Sequence, residues 1–137
     1  MRVEVGVRHP LHAGPTGNAM LAFLDPEERE RLLAESLEPL TPYTLIEPEQ
    51  LRARLDEIAR EGMGMSFRDH RMEASGVAAP VFGLDGTVCG AISLSGLAER
   101  FTPAVAREVA PNVRRVAIEV SLALGCKPRE NWKAWLA

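Results

Sequence analysis

A disulfide framework, a membrane span and a nucleic-acid surface each need features that this sequence lacks. Its 137 residues hold two cysteines, Cys89 and Cys126. They are not in CxxC spacing and have no histidine neighbours, so neither a metal site nor a redox pair is indicated. Two cysteines cannot build the disulfide scaffold of a small secreted domain, which points to a reducing cytoplasm. No apolar run approaches the roughly 20 residues of a membrane-spanning helix. The opening Met1-Arg2-Val3-Glu4-Val5 alternates instead of running from charge into an apolar stretch, which excludes a signal peptide. There is no basic stripe either. The formal net charge is −3 with both signs interspersed, so no DNA contact by this chain is expected. Repeats, linkers and low-complexity tracts are also missing.

What the chain does have is apolar substance, 46% of its residues, enough for the core of a single domain. We place that domain at residues 1–126 and regard 127–137 as a C-terminal tail. Trp132 and Trp135 share a helix face there, and packing onto the body suits two indoles better than exposure.

Residues Val3, Val5 and Val7 alternate with polar neighbours, which predicts a half-buried strand. Thr16 is placed to cap a first helix carrying Met20, Leu21, Phe23 and Leu24. Asp25-Pro26-Glu27-Glu28 starts a second helix with a capping box. A third begins at Glu47-Pro48, puts Leu51, Leu55 and Ile58 on one face, and stops at Gly62. Strands are expected over 63–70, over 74–82, and from Thr87 to Ser95 after a turn at Asp85-Gly86. A long helix opens at Thr102-Pro103, carries Val105, Val109, Val113, Val116, Val120 and Leu124, and stops at Gly125. Pro111 inside it should kink or split it. The order predicts an α+β domain with an antiparallel sheet and segregated helices.

The strand from Thr87 to Ser95 has two unlike faces. Val88, Ile92 and Leu94 form a branched face suited to packing. Cys89, Ala91, Ser93 and Ser95 form a small face with two hydroxyls. Ala74, Gly76 and Ala78 repeat the theme on the preceding strand. Small inward residues leave volume unfilled and hydroxyls offer polar contacts, so this face predicts a pocket for a small polar molecule. Close approach of a helix backbone would explain the same pattern.

Catalysis has thin support. Ser93 or Ser95 with His12 or His70 and Asp69 supplies the types of a nucleophile triad. There is no GxSxG elbow, however, and no spacing that joins them. We expect no enzyme and no cofactor. His9, His12 and His70 belong to no metal-ligand motif, so no metal is expected.

Pro10-Leu11-His12-Ala13 with Gly17 and Ala19–Ala22 resembles the PLHxxxxGKAxLA segment of isocitrate-lyase-regulator (IclR) type effector-binding domains. Thr41-Pro42-Tyr43-Thr44, Ala78-Ala79-Pro80-Val81-Phe82 with Asp85-Gly86, Ala91–Gly96 and Ser121-Leu122 to Gly125 are similar to further family blocks, in order. The resemblance implies a GAF-like fold: an antiparallel sheet with helices around a pocket for a small organic or aromatic acid. It also implies a homodimer or homotetramer, and a preceding winged helix-turn-helix, so that relative to the family this chain is N-terminally truncated. Effector contacts implied by resemblance fall on Pro15 and Thr16, on Ser66, on Ala74 and Gly76, and on Ser93 and Ser95. Asn18 stands where the family usually has Lys, and Arg68-Asp69-His70-Arg71 replaces a habitually acidic stretch. Arg68 is then a candidate bidentate carboxylate ligand, or else a solvent-exposed strand arginine. A stand-alone GAF-like oligomerisation module with no specific ligand is the alternative reading.

Overall fold

Three strands and five helices are present in the computed structural model, which describes residues 4–137. The helices α1 (Pro15–Leu21), α2 (Pro26–Leu33) and α3 (Pro48–Glu61) come first. Strands β1 (Gly64–Phe67), β2 (Ala74–Phe82) and β3 (Val88–Leu97) follow, then α4 (Pro103–Ala123) and α5 (Trp132–Leu136). The strands form one antiparallel sheet in the order β1-β2-β3. Helix α4 lies on one face and α1 on the other, because β2 carries branched residues at alternate positions. Val77, Ala79 and Val81 of β2 pack with Ala106, Ala110, Val113 and Ala117 of α4 in the main core. A second cluster joins Leu21 of α1 to Leu33 and to Leu51, Leu55 and Ile58 of α3. These three α3 residues are the stripe its spacing predicts, and Gly62 ends the helix in the left-handed region at φ 75°.

Several local expectations give way. Residues 4–8 form no strand, and Val5 is wholly exposed; Val3 lies outside the described residues. Alternation alone makes no strand without a partner to satisfy the backbone. Thr16 does not cap α1: Gly14 occupies that position at φ 84°, Pro15 opens the helix, and Thr16 sits in its first turn. Asp25 does precede α2, but its side chain makes no capping hydrogen bond. Glu28 pairs with Arg31 instead of reaching back. Of the two outcomes expected at Pro111, a split of α4 does not occur: the helix continues from Pro103 to Ala123. Pro111 and Arg107, whose carbonyl loses its partner, are both exposed, so water can take that bond and the break is avoided.

The expected valine row of α4 is met in part: Val113 is in the core and Val105, Val109 and Val120 pack against it, but alanines make up half of the fully buried stripe. That stripe consists of Ala106, Ala110, Val113, Ala117, Ile118 and Ser121, while Val116 and Leu124 are exposed. The alanines let the helix approach the sheet closely, with Val113 filling the space between them. Ser121 donates to the Ala117 carbonyl and accepts from the Phe82 amide, tying α4 to the end of β2.

Trp132 and Trp135 are buried with Phe82, Ile118 and Cys126. The Trp135 indole donates to the Arg60 carbonyl at 2.9 Å and stands edge-on to Phe23. Packing, not exposure, is their fate.

Candidate functional site

The face of the sheet under α1 is built from small residues aligned by register. Ser66 of β1 pairs with Gly76 of β2, and Gly76 pairs with Ser95 of β3. The next row is Gly64, Ala78 and Ser93. Glycine is required at 76, since a Cβ there would lie 2.4 Å from Ser95 Oγ and 2.8 Å from the Leu94 carbonyl. Such a face cannot fill the space beneath a helix. Between it, the start of α1 and the segment leading into α1 lies a cavity of about 900 Å³, at the upper end of the range for small-ligand sites.

Six of the residues implied by sequence meet around this cavity: Pro15, Thr16, Ser66, Ala74, Ser93 and Ser95. Gly76 lies in the floor row but contributes no lining of its own. Arg68 is not among the lining residues either. It sits at φ 61° where the chain leaves β1, and its guanidinium donates to the Met72 carbonyl at 2.6 Å. The left-handed turn gives Arg68 a local partner in place of a cavity contact. Leu94 keeps the face of Ile92 by register, opposite Val77 as Ile92 is opposite Ala79, and its carbonyl lies beside Gly76. Val88 is the residue that changes side, pairing with Phe82 and packing in its cluster. The register irregularity at Val81/Phe82 shows that alternation is not kept along the whole hairpin.

Asp69 organises the rim. Its buried carboxylate takes hydrogen bonds from the Gly14 amide at 3.0 Å, from the Ser66 hydroxyl, and from Arg54 at 3.0 Å. Thr44 donates to the Asp69 carbonyl and Thr41 to that of Arg68. One carboxylate thus fixes the entry to α1, the end of β1 and α3 together. Its bond to Ser66 also commits that hydroxyl proton, so Ser66 faces the cavity as an acceptor. His12, one of the triad candidates, is remote from this work and contacts the Glu38 carbonyl through Nε2 at 2.7 Å.

Sequence reasoning missed the nitrogen-rich part of the lining, His9, His70 and Arg71. Burial pushes the His70 imidazole below the usual histidine range, and neighbouring His9 and Arg71 add to the effect. Their side chains reach the cavity from loops, where no periodicity reports direction.

Residues 1–122 match the family described as bacterial transcriptional regulator IclR, C-terminal. The chain belongs to the IclR family. It is 35% identical to the HTH-type transcriptional repressor AllR of Klebsiella pneumoniae over 96% of this chain and 48% of that protein. The Thermotoga maritima IclR structure superposes with a TM-score of 0.86 at 28% identity, over 91% of this chain and 51% of that one. The inducer-binding domain of PobR from Acinetobacter, solved as a double mutant with 3-hydroxybenzoic acid, matches with a TM-score of 0.77 at 28% identity. It covers 86% of this chain and 69% of that one. The chain spans about half the length of the curated relatives it matches. The curated relatives are transcriptional repressors and regulators. No described helix is long and apolar enough to cross a membrane.

Proposed function

We propose that this IclR domain is the cytoplasmic sensor of a transcriptional regulator and binds a small carboxylate or aromatic acid in the cavity beneath α1. The observation that carries this reading is the alignment of Ser66, Ser93 and Ser95 along a small-residue floor open to a volume of about 900 Å³. Hydroxyls from Thr16, Ser93 and Ser95 hold the acid's polar groups, while Met20 and Leu11 offer apolar wall. The acid in the PobR complex is of this chemical class.

Ligand binding shifts the balance between two arrangements of subunits in a homodimer or homotetramer, by no more than its difference in affinity for them. In a longer regulator that shift reaches DNA through a winged helix-turn-helix domain, with no DNA contact by this one. Subunit contact has an independent motive in the long β3, whose outer edge has no partner among the described residues. Sedimentation at micromolar concentration is expected to give a dimer or larger; a monodisperse monomer refutes that part.

The first test is a thermal-shift screen of small organic and aromatic acids. A true ligand at about one hundred times its dissociation constant adds about 2.7 kcal/mol and raises the midpoint by several degrees. Replacing Ser93 and Ser95 together by Ala is expected to weaken calorimetric affinity roughly tenfold or more, each lost hydrogen bond being worth about 1 kcal/mol. Unchanged affinity removes both serines from the site. A panel without any hit favours the ligand-free oligomerisation module.

A further inference from the structure

His9 and His70 face each other on the cavity wall, with His9 Nδ1 and His70 Nε2 3.2 Å apart and the rings edge-to-face. At that distance the neutral pair shares one hydrogen bond, one ring donating and the other accepting. An added proton turns the acceptor into a second donor and gives the pair a positive charge. Arg71 lines the same cavity and stays charged throughout.

The charges facing this pair come from several elements. Asp69 and Glu73 favour protonation of His70, whereas His9 and Arg71 oppose it. The Asp69 carboxylate is already engaged by Arg54, the Gly14 amide and Ser66. Glu4 is the one carboxylate among the described lining residues. The described lining therefore offers up to two positive charges, one on the protonated histidine pair and one on Arg71, against the one carboxylate of Glu4. The floor offers only uncharged hydroxyls. A carboxylate ligand needs most of its acceptor sites filled when it leaves water, and charged donors fill them best.

We propose that His9, His70 and Arg71 form the anion-binding pole of the cavity, so that the ligand carboxylate enters together with a proton taken up by the histidine pair. This rests on the effector reading and specifies its regulation: acid binding tightens as pH falls. The sign follows from linkage. Without ligand His70 holds a proton weakly, because burial, His9 and Arg71 oppose it. A bound carboxylate stabilises the charged pair and raises its proton affinity. Between the free and bound titration ranges, affinity then drops up to about tenfold per pH unit as pH rises. In the unliganded domain His70 works the other way. The unfolded chain protonates first, so stability falls as pH drops below the ordinary histidine range.

The test is calorimetry of the domain with benzoate, 3-hydroxybenzoate and succinate, at about pH 6 and about pH 8, in two buffers of different ionisation heat. Expected for whichever acid binds are roughly tenfold tighter affinity at the lower pH, and a buffer-dependent heat that reports proton uptake. The double variant His9→Asn/His70→Asn is expected to bind weakly at both pH values, with the buffer dependence gone and the melting midpoint near the parent's at neutral pH. Arg71→Gln is expected to weaken binding at both pH values while keeping the slope. Equal affinity at both pH values, or a slope that survives the double variant, overturns this inference and leaves the effector reading standing. Absence of binding by all three acids at either pH overturns both.

Discussion

Asp69→Ala is expected to destabilise the domain by about 3–5 kcal/mol and to abolish ligand binding at temperatures where the chain still folds. Removing this carboxylate leaves Arg54, whose side chain is 32% exposed, without its counter-charge, a cost that water reduces but does not remove. It also strands the Gly14 amide, whose acceptor is Asp69 Oδ1 at 3.0 Å, and frees the Ser66 hydroxyl that Asp69 holds. An orphaned buried donor costs about 1–3 kcal/mol by itself. Gly14 is the residue from which α1 starts, so the roof of the cavity loses its anchor together with the floor. Urea unfolding measures the stability loss, and calorimetry with an acid ligand measures the second effect. Asp69→Asn keeps one acceptor oxygen and is expected to fall between parent and Ala variant. A loss under about 1 kcal/mol in the Ala variant would show that the four groups do not act as one network.

Gly62→Ala is expected to cost about 3 kcal/mol, from two sources. An L side chain in the left-handed region costs about 1–2 kcal/mol. The second source is space. The added Cβ would fall 2.1 Å from the Trp135 ring, at φ 75°, and forced overpacking costs about 1–3 kcal/mol. The ring cannot retreat freely, because its indole N–H is held by the Arg60 carbonyl and Phe23 stands against it. Gly86→Ala is the control. Gly86 has a similar φ of 81° but nothing within 4 Å of the added carbon, so only the conformational part is expected, about 1 kcal/mol. Thermal or urea melting compares the two variants. Equal losses would mean that the α5 contact contributes nothing to the position.

Much of this outcome was legible in local pattern. Pro48, the row Leu51, Leu55 and Ile58, and Gly62 spell the start, buried face and end of α3, because those choices are dictated within one element. The serine floor was legible for the same reason. A strand's alternation sends Ser93 and Ser95 to one face whatever lies opposite, and both line the cavity. Element order and the block-wise resemblance gave the α+β fold and the family, and the structural match carries both.

Other features depend on what each residue meets from a distant part of the chain. The alternation of Val3, Val5 and Val7 promised a strand, but no local rule supplies a neighbouring strand, and residues 4–8 form none. The valine row of α4 reaches the core through Val113, with Val105, Val109 and Val120 at its margin, but the sheet also packs on Ala106, Ala110 and Ala117, which local hydrophobicity did not single out. Arg68 and Arg71 are three residues apart in one loop. A left-handed turn sends the first to Met72, and the second lines the cavity.

The sequence by itself determined the class of fold, the bounds of the long helices and the small polar floor, because each rests on periodicity or on turn and cap chemistry within a few residues. The family was legible from the block-wise resemblance alone. Tertiary structure alone decided the rest. It joined His9 to His70 across 61 positions, and it made Asp69 the link between Gly14, Ser66 and Arg54. These are contacts between loops, whose side-chain directions are set by backbone turns and long-range hydrogen bonds and not by any repeating pattern.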